Sequence, residues 1–472
     1  MPEAAPGCRR PAAGGAVLCS CLFVLCERLG VLSRGKGGAS PHSPQQENLS
    51  ADDAPAQIGK REAAREWWLS FRDANLNSLI NAGMERNFDM HQAVEAIRAA
   101  SAVGIAASDM PQITGQASAQ RGDPEATGAI SETSTIGGGV SWALDLFGAN
   151  LNARRATAAR LDATYLTADV VQLVIQSGNA QAYIALRFHQ ASISLTRQSL
   201  TSRKNSLDLT TSQFEIGAVG RLDVIHGGQL VAKGEAQIPA YETGLDQALV
   251  RLATSTARRM ADLRPVLQRG SGQPRPRARA NVSTTAEVVR ARPDGRAAER
   301  NYSAAAYAVG VAKARCYPSV ALSGNIGATN ISGGGGNITA WTLGPTINLP
   351  IFTGGENKAN LRYAESRAVQ AKPASENSVL NAVEEVESGL AACCRDGRNI
   401  AAQQRLVDAS AEAVTLARTN FSVGDGAFFA VLDSERSLLQ AQQALADAVR
   451  RQGANLVTLS AATAGGSAVL QS

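Results

Sequence analysis

Phe214-Glu215-Ile216-Gly217, followed after six residues by Val224-Ile225, recurs 207 residues later as Phe421-Ser422-Val423-Gly424 and Val431-Leu432. Apolar residues step by seven towards each glycine, as Leu186, Ile193, Leu200, Leu207, Phe214 and as Cys393, Ile400, Val407, Val414, Phe421. The stepping resumes beyond it as Val224, Val231, Ile238, Leu245, Leu252 and as Val431, Leu438, Leu445, Gln452, Leu459, with one polar exception. A seven-residue apolar period is that of a helix packed along its length on another, so the chain contains two copies of one long helical hairpin, each reversing at a glycine.

Working outward from the two turns, the chain divides into matching halves. Residues 67–263 form the first repeat and 296–465 the second, joined by the Pro- and Arg-rich segment 264–295. In the first half, Trp67-Trp68, Leu76, Leu79, Ile80, Met84 and then Met90, Val94, Ile97 have helical spacing to about Ala107, with Asp89 as a cap for the second piece. The period then shortens to two. Residues 111–146 read as a β-hairpin whose second strand alternates Val140, Trp142, Leu144, Leu146 with Ser141, Ala143, Asp145 around the loop Gly122 to Ser134. A helical hairpin over 149–263 follows, turning near 217. The second half repeats the order as a helix from Arg296, a β-hairpin over 317–351 with a glycine loop at Gly333 to Gly336, and a helical hairpin over 356–464 turning near 424. Strand landmarks such as Phe147 and Phe352 are offset by 205, whereas the helices are offset by 207.

Composition agrees with an elongated object. Only 4% of residues are aromatic, which suits long helices packed through small side chains. The net charge of +5 is spread along the chain, apart from a run near Arg264 to Arg300, and gives no nucleic-acid footprint. No apolar run is long enough for a transmembrane helix, but alternating strands leave a membrane β-barrel open. Residues 1–26 resemble a signal peptide, in which Leu18-Cys19-Ser20-Cys21 has the form of a lipobox ending in an acylatable Cys21; the alternative is an ordinary signal remnant or a wrong start codon. Residues 27–66 read as an extended tether and 466–472 as a short tail. The seven cysteines fit no zinc or redox spacing; Cys393, at a heptad position, reads as a small buried hydrophobe beside Cys394.

Taken together, these residues resemble a known family, the TolC-like outer membrane factors of efflux and secretion systems, in their NodT-type lipoprotein branch. The resemblance rests on Trp67-Trp68 with Phe71, Asp73, Leu76 and Leu79; Asn87-Phe88-Asp89; Trp142-Ala143-Leu144-Asp145-Leu146-Phe147-Gly148; Arg292-Pro293-Asp294; Tyr317-Pro318-Ser319; and Pro350-Ile351-Phe352 before Gly354-Gly355. It covers about residues 65 to 465. It implies an α+β homotrimer in which each subunit gives four strands to a twelve-stranded outer membrane β-barrel and its coiled-coil helices to a periplasmic α-barrel. The implied role is a passive exit duct, with a periplasmic adaptor (membrane fusion) protein, an inner-membrane pump and outer membrane lipid as partners, and no cofactor.

Three groups of residues follow from the resemblance. Ile216, Gly217, Val423 and Gly424 would be the tips that meet the adaptor, although a glycine also serves simply to close a helical hairpin. Gly220 and Ala427 stand where the family often has Ser or Thr. Arg436, Asp447 and Arg450 resemble the charges of the periplasmic gate. Asp447 and Arg450, three apart, share a helix face and can pair within or between subunits; the alternative is a solvated face. Their counterparts Gln229, Ala240 and Thr243 carry no charge.

Nothing in the sequence points to catalysis or to a resident metal. His42, His91, His189 and His226 are far apart in sequence, Gly333 to Gly336 lacks the Lys and Ser/Thr of a phosphate loop, and no nucleophile elbow occurs. The competing reading is a periplasmic adaptor or coiled-coil scaffold without a channel of its own. An adaptor would carry one hairpin within nested β domains, whereas two hairpins are written here, each preceded by strands.

Overall fold

The computed structural model describes residues 66–106, 110–122, 130–268, 272–276, 279–280, 286–332, 336–463 and 470–471. The signal-like segment with Cys21, the tether to residue 65, Gly333 to Gly335 of the glycine loop, and most of the tail lie outside them.

After a 3-10 turn at Trp67–Phe71, the first half runs α1 (Ala74–Arg86), α2 (Phe88–Ala106), β1 (Gln112–Gly122), β2 (Ser131–Leu144), α3 (Ala149–Glu215) and α4 (Arg221–Ser255). The join carries α5 (Met260–Gln268), β3 (Arg279–Ala280) and α6 (Ala286–Ala291). The second half runs α7 (Pro293–Ala314), β4 (Ser319–Ile331), β5 (Gly336–Asn348), α8 (Glu356–Ser422) and α9 (Phe428–Ala462), before β6 (Leu470–Gln471). Helices α3 and α8 both have 67 residues, and α4 and α9 both have 35. At 1.5 Å per residue the longer pair would measure about 100 Å.

Several boundaries differ from the sequence reading, each for a local reason. The first hairpin ends at Ser255 rather than 263, where Ala257 turns to φ +48° and the Arg258 N–H reaches back to the Ala253 carbonyl at 3.0 Å, a left-handed helix end. The join, expected to be irregular from 264 to 295, holds two short helices, and Pro293 opens α7 from its N-terminal position, where the missing N–H leaves no bond unmade. Asn87, not Asp89, caps α2: its Oδ1 accepts the Asp89 N–H at 2.8 Å. The strands of the first β-hairpin run further into the expected loop, to Gly122 and from Ser131. Cys393 is half-buried, and burial, with Asp396 and Cys394 nearby, pushes its thiol up to about 11.

The main core lies at mid-height, where the helices of both halves meet the join. Trp67, Trp68, Phe71, Leu76 and Ile80 pack against Tyr183, Ile184 and Leu186 of α3, Leu252 of α4, Leu263 and Leu267 of α5, and Leu456 and Val457 of α9. Each fully buried side chain of this size contributes roughly 1.5–3 kcal/mol relative to exposure. A polar thread crosses this core. Asp73 caps α1 by accepting the Asn75 and Leu76 N–H groups, and accepts the Tyr183 hydroxyl at 2.7 Å. Arg187 Nε donates to that phenol oxygen at 2.9 Å, and its Nη1 to the Leu267 carbonyl at 2.9 Å. Burial and the hydrogen bond to Asp73 push the Tyr183 phenol up to about 12. In the second half, Arg292 binds Asp294, Glu385 and the Ala462 carbonyl.

The four long strands form one antiparallel sheet in the order β1-β2-β4-β5, so the two repeats meet through the β2–β4 pairing. The two hairpins are not equivalent in packing. Helix α3 lies against α1, α2, α4, α7 and α9, whereas α8 lies mainly against α7 and α9. Tyr363, Val369, Leu406 and Leu416 of α8 consequently remain exposed. Two hairpins joined to a single sheet match the duct architecture and not the single-hairpin plan of an adaptor.

Candidate functional site

The sheet's two faces follow from its register. On one face Ile113, Val140, Gly324 and Leu343 lie side by side; the next rungs are Gly115, Gly138, Ile326, Trp341 in one direction and Trp142, Leu322, Pro345 in the other. Leu144, Val320 and Ile347 extend this apolar band. On the other face the rungs read Gln112, Ser141, Ser323, Gly344; then Thr114, Gly139, Asn325, Thr342; then Gln116, Gly137, Gly327, Ala340; then Ser118, Thr135, Thr329, Ile338. Thr135 and Thr329 hydroxyls are hydrogen-bonded at 3.2 Å, which fixes these two side chains on one side. Gly137 faces Gly327 where a Cβ would come within 2.7 Å of the Ile326 carbonyl oxygen, so only glycine permits that approach. One apolar and one polar face is what a sheet between lipid and water requires. Below the band, Phe147 and Tyr317 stack at 5.0 Å, and Ile351 and Phe352 are fully presented to the surroundings, at 87% and 91% exposure.

At the opposite end both hairpins reverse through the same backbone device. The Gly217 N–H donates to the Phe214 carbonyl at 2.9 Å and the Ala218 N–H to Gln213 at 2.8 Å; Gly424 and Asp425 do the same to Phe421 and Asn420 at 3.1 and 3.0 Å. These paired bonds close each helix with a left-handed glycine, at φ +77° for Gly217 and +82° for Gly424. Ile216 and Val423 are exposed at 80% and 72%, leaving an apolar side chain at each tip. Gly220 and Ala427 occupy the N-cap positions of α4 and α9 and provide no side-chain cap. A Ser or Thr at these positions would cap a helix, a role separate from any contact with another protein.

The charges on α9 divide into two sets. Arg450 donates from Nε to Asp447 Oδ1 at 2.9 Å, and Arg451 Nε lies 3.0 Å from Asp447 Oδ2, so the carboxylate is held between two guanidinium groups of its own helix. The Arg450 guanidinium also lies 5.4 Å from the Phe188 ring centroid. Around it, Phe188 and His189 of α3 meet Tyr241 of α4, and His189 covers Gly244 so closely that a Cβ there would fall 2.3 Å from the ring. Burial, then the Arg450 charge, lowers the His189 pKa; burial, then Asp447, raises that of Tyr241.

Arg436 does not join this set. It lies about 16 Å nearer the tip along α9 and pairs with Asp433. Beside it is a cluster that sequence reasoning missed. Glu435, 5% exposed, accepts Arg418 Nη2 of α8 at 2.6 Å, and Ser206 and Ser202 of α3 at 3.0 and 3.3 Å. Arg203 alongside donates to the Leu230 carbonyl at 3.1 Å, its pKa lowered by burial and partly restored by Glu435. The available signal was a carboxylate in the buried row Val431, Glu435, Leu439, where an apolar residue belongs. Among the described residues, no group of three or more His, Cys, Asp or Glu could hold a metal ion, and no helix is long and apolar enough to cross a membrane.

Comparison with known proteins places this geometry. The family model described as "Outer membrane efflux protein" matches residues 79–258 and 286–465, one block per repeat. Nodulation protein T of Rhizobium leguminosarum bv. trifolii is 35% identical over 81% of this chain and 84% of its own length. Outer membrane protein OprJ of Pseudomonas aeruginosa is 30% identical over 97% of both chains. The solved structure of the outer-membrane channel OprN superposes with a TM-score of 0.77 at 28% identity, covering 92% of this chain and 99% of that one. With both repeats matched and the fold shared along nearly the whole length, the chain belongs to the outer membrane efflux protein family.

Proposed function

We propose that this chain is the exit duct of a tripartite efflux or secretion system. As a homotrimer it passes small molecules through the outer membrane after an inner-membrane pump and a periplasmic adaptor deliver them. The observation that carries this reading is the two-faced sheet of four strands continuous with two long hairpins. Among the described residues, β1 and β5 each keep one edge without a strand partner, an arrangement that hydrocarbon does not tolerate. Three copies joined β5 to β1 close the barrel, and the exposed apolar residues of α8 find cover on a neighbouring copy. The duct performs no chemistry of its own.

Within this reading Ile216-Gly217 and Val423-Gly424 are the adaptor-docking tips, and the α9 charges hold the periplasmic end closed. Gating falls to two tiers, Arg436 with Asp433 near the tip and Asp447 with Arg450 and Arg451 roughly 30 Å from it. Asp447→Ala releases two arginines at once, and its expected effect is a higher single-channel conductance in planar bilayers. Unchanged conductance would return Asp447 to a solvated face. For the function as a whole, deletion of the gene followed by complementation is expected to change sensitivity to some members of a panel of drugs, dyes, aromatic acids and metals. A protein that fractionates with the soluble periplasm, without heat-modifiable trimers in outer membranes, would remove the duct reading.

A further inference from the structure

We propose that the strand-built part of the duct is an electrically neutral bore, lined by amides and hydroxyls, which does not sort cargo by charge. The inference rests on the duct reading and concerns the cargo class. The register sets it out: the polar face carries Gln112, Gln116 and Gln120 on β1, Asn325 on β4 and Asn348 on β5, with Ser, Thr, Gly and Ala between them and Ile331 and Ile338 as its two large apolar side chains. Across the described residues of β1, β2, β4 and β5 that face holds no Asp, Glu, Lys, Arg or His. Ionisable groups in the strands are confined to Arg121 and Glu132, paired across β1 and β2 at 3.4 Å near the end of the sheet, in register with the apolar face.

The physical consequence follows from what water and ions meet inside. Wall charges in a narrow low-dielectric passage concentrate ions of opposite sign and repel the others. A wall of amides and hydroxyls offers donors and acceptors equally, so cations, anions and zwitterions encounter the same surface. Threefold closure would multiply any wall charge by three, so a single ionisable residue on this face would convert the bore into a charged ring. The helical end, by contrast, carries the paired charges of α9. Discrimination by charge therefore belongs to that end and to the pump, and the barrel sets only size and wettability.

The test reads reversal potential across a planar bilayer under a potassium chloride gradient, with the full-length chain. Gln116→Glu and Gln116→Lys each place three charges in the bore of a trimer. The expected result is shifts from the unsubstituted protein that are opposite in sign and similar in size, because no wall charge exists to add to or cancel. Thr342→Glu and Thr342→Lys, one rung away on β5, repeat the measurement should the Gln116 variants fail to assemble. A shift for one sign only, or shifts of clearly unequal size, overturns the neutral bore while conductance steps leave the duct standing. Absence of conductance steps from the unsubstituted trimer removes the duct and the bore together.

Discussion

His189 sits half-buried between an arginine and two aromatic rings, with its Nδ1 out of contact with water and making no hydrogen bond. Burial and Arg450 both disfavour its charged form, so its folded pKa lies below the unfolded value of about 6.5. The sign follows directly. Above about pH 6.5 both states are neutral and the site costs nothing; as pH falls below it, the unfolded chain takes up the proton first and stability is lost. The charged and titratable groups near the ring are Arg450 of α9 and Tyr241 of α4, the latter in turn beside Asp447. The thermal midpoint of the detergent-purified protein is expected to fall between pH 7.5 and 5.5, and His189→Asn to flatten part of that fall; an unaltered slope would clear His189. None of this was legible in the sequence, where His189 stood among four unconnected histidines. Asp447 and Arg450 were legible as a pair because three-residue spacing fixes a helix face. Arg436 stands apart from that pair and bonds to Asp433, three residues before it, a partner the sequence reading passed over.

At the scale of elements, the long helices were legible because a seven-residue period sustained over many turns is that of a helix packed along another. Helix ends were less visible. Ala257 and Pro293 end and begin helices through a left-handed backbone and a ring, both single-residue effects inside segments of mixed composition. The N-cap of α9 offers a test of such local control. Ala427 has the extended backbone of a cap, φ −74° and ψ 136°, without a side-chain acceptor. Ala427→Ser supplies one and is expected to stabilise the hairpin by about 1 kcal/mol, read as a raised thermal midpoint. A midpoint that does not move would mean that α9 is already capped by other contacts at the tip.

For the whole molecule, alternation in single strands was visible, but the pairing of β2 with β4 was not, because it joins residues nearly 200 positions apart. The face assignment that results can be checked by a matched pair. Leu343→Arg puts a charge on the apolar band and is expected to cost about 2–4 kcal/mol per chain and to deplete outer membrane trimers. Thr342→Arg, its neighbour on the polar face, is expected to assemble. Equal loss for both would mean that the sheet does not separate lipid from water.

The junction between strands and helices differs between the halves by two residues: Gly148 alone precedes α3, at φ +75°, whereas Gly354 and Gly355, at +59° and +90°, precede α8. This is where the 205-residue offset of the strands becomes the 207-residue offset of the helices. A residue inserted inside α8 would rotate everything beyond it by about 100° and set its packed stripe out of phase with α9. At the glycine joint the same residue changes only how the rod hangs from the sheet. The joint works as a coupling between two machines with different pitch, and grafts that exchange barrels or rods between relatives should be cut there.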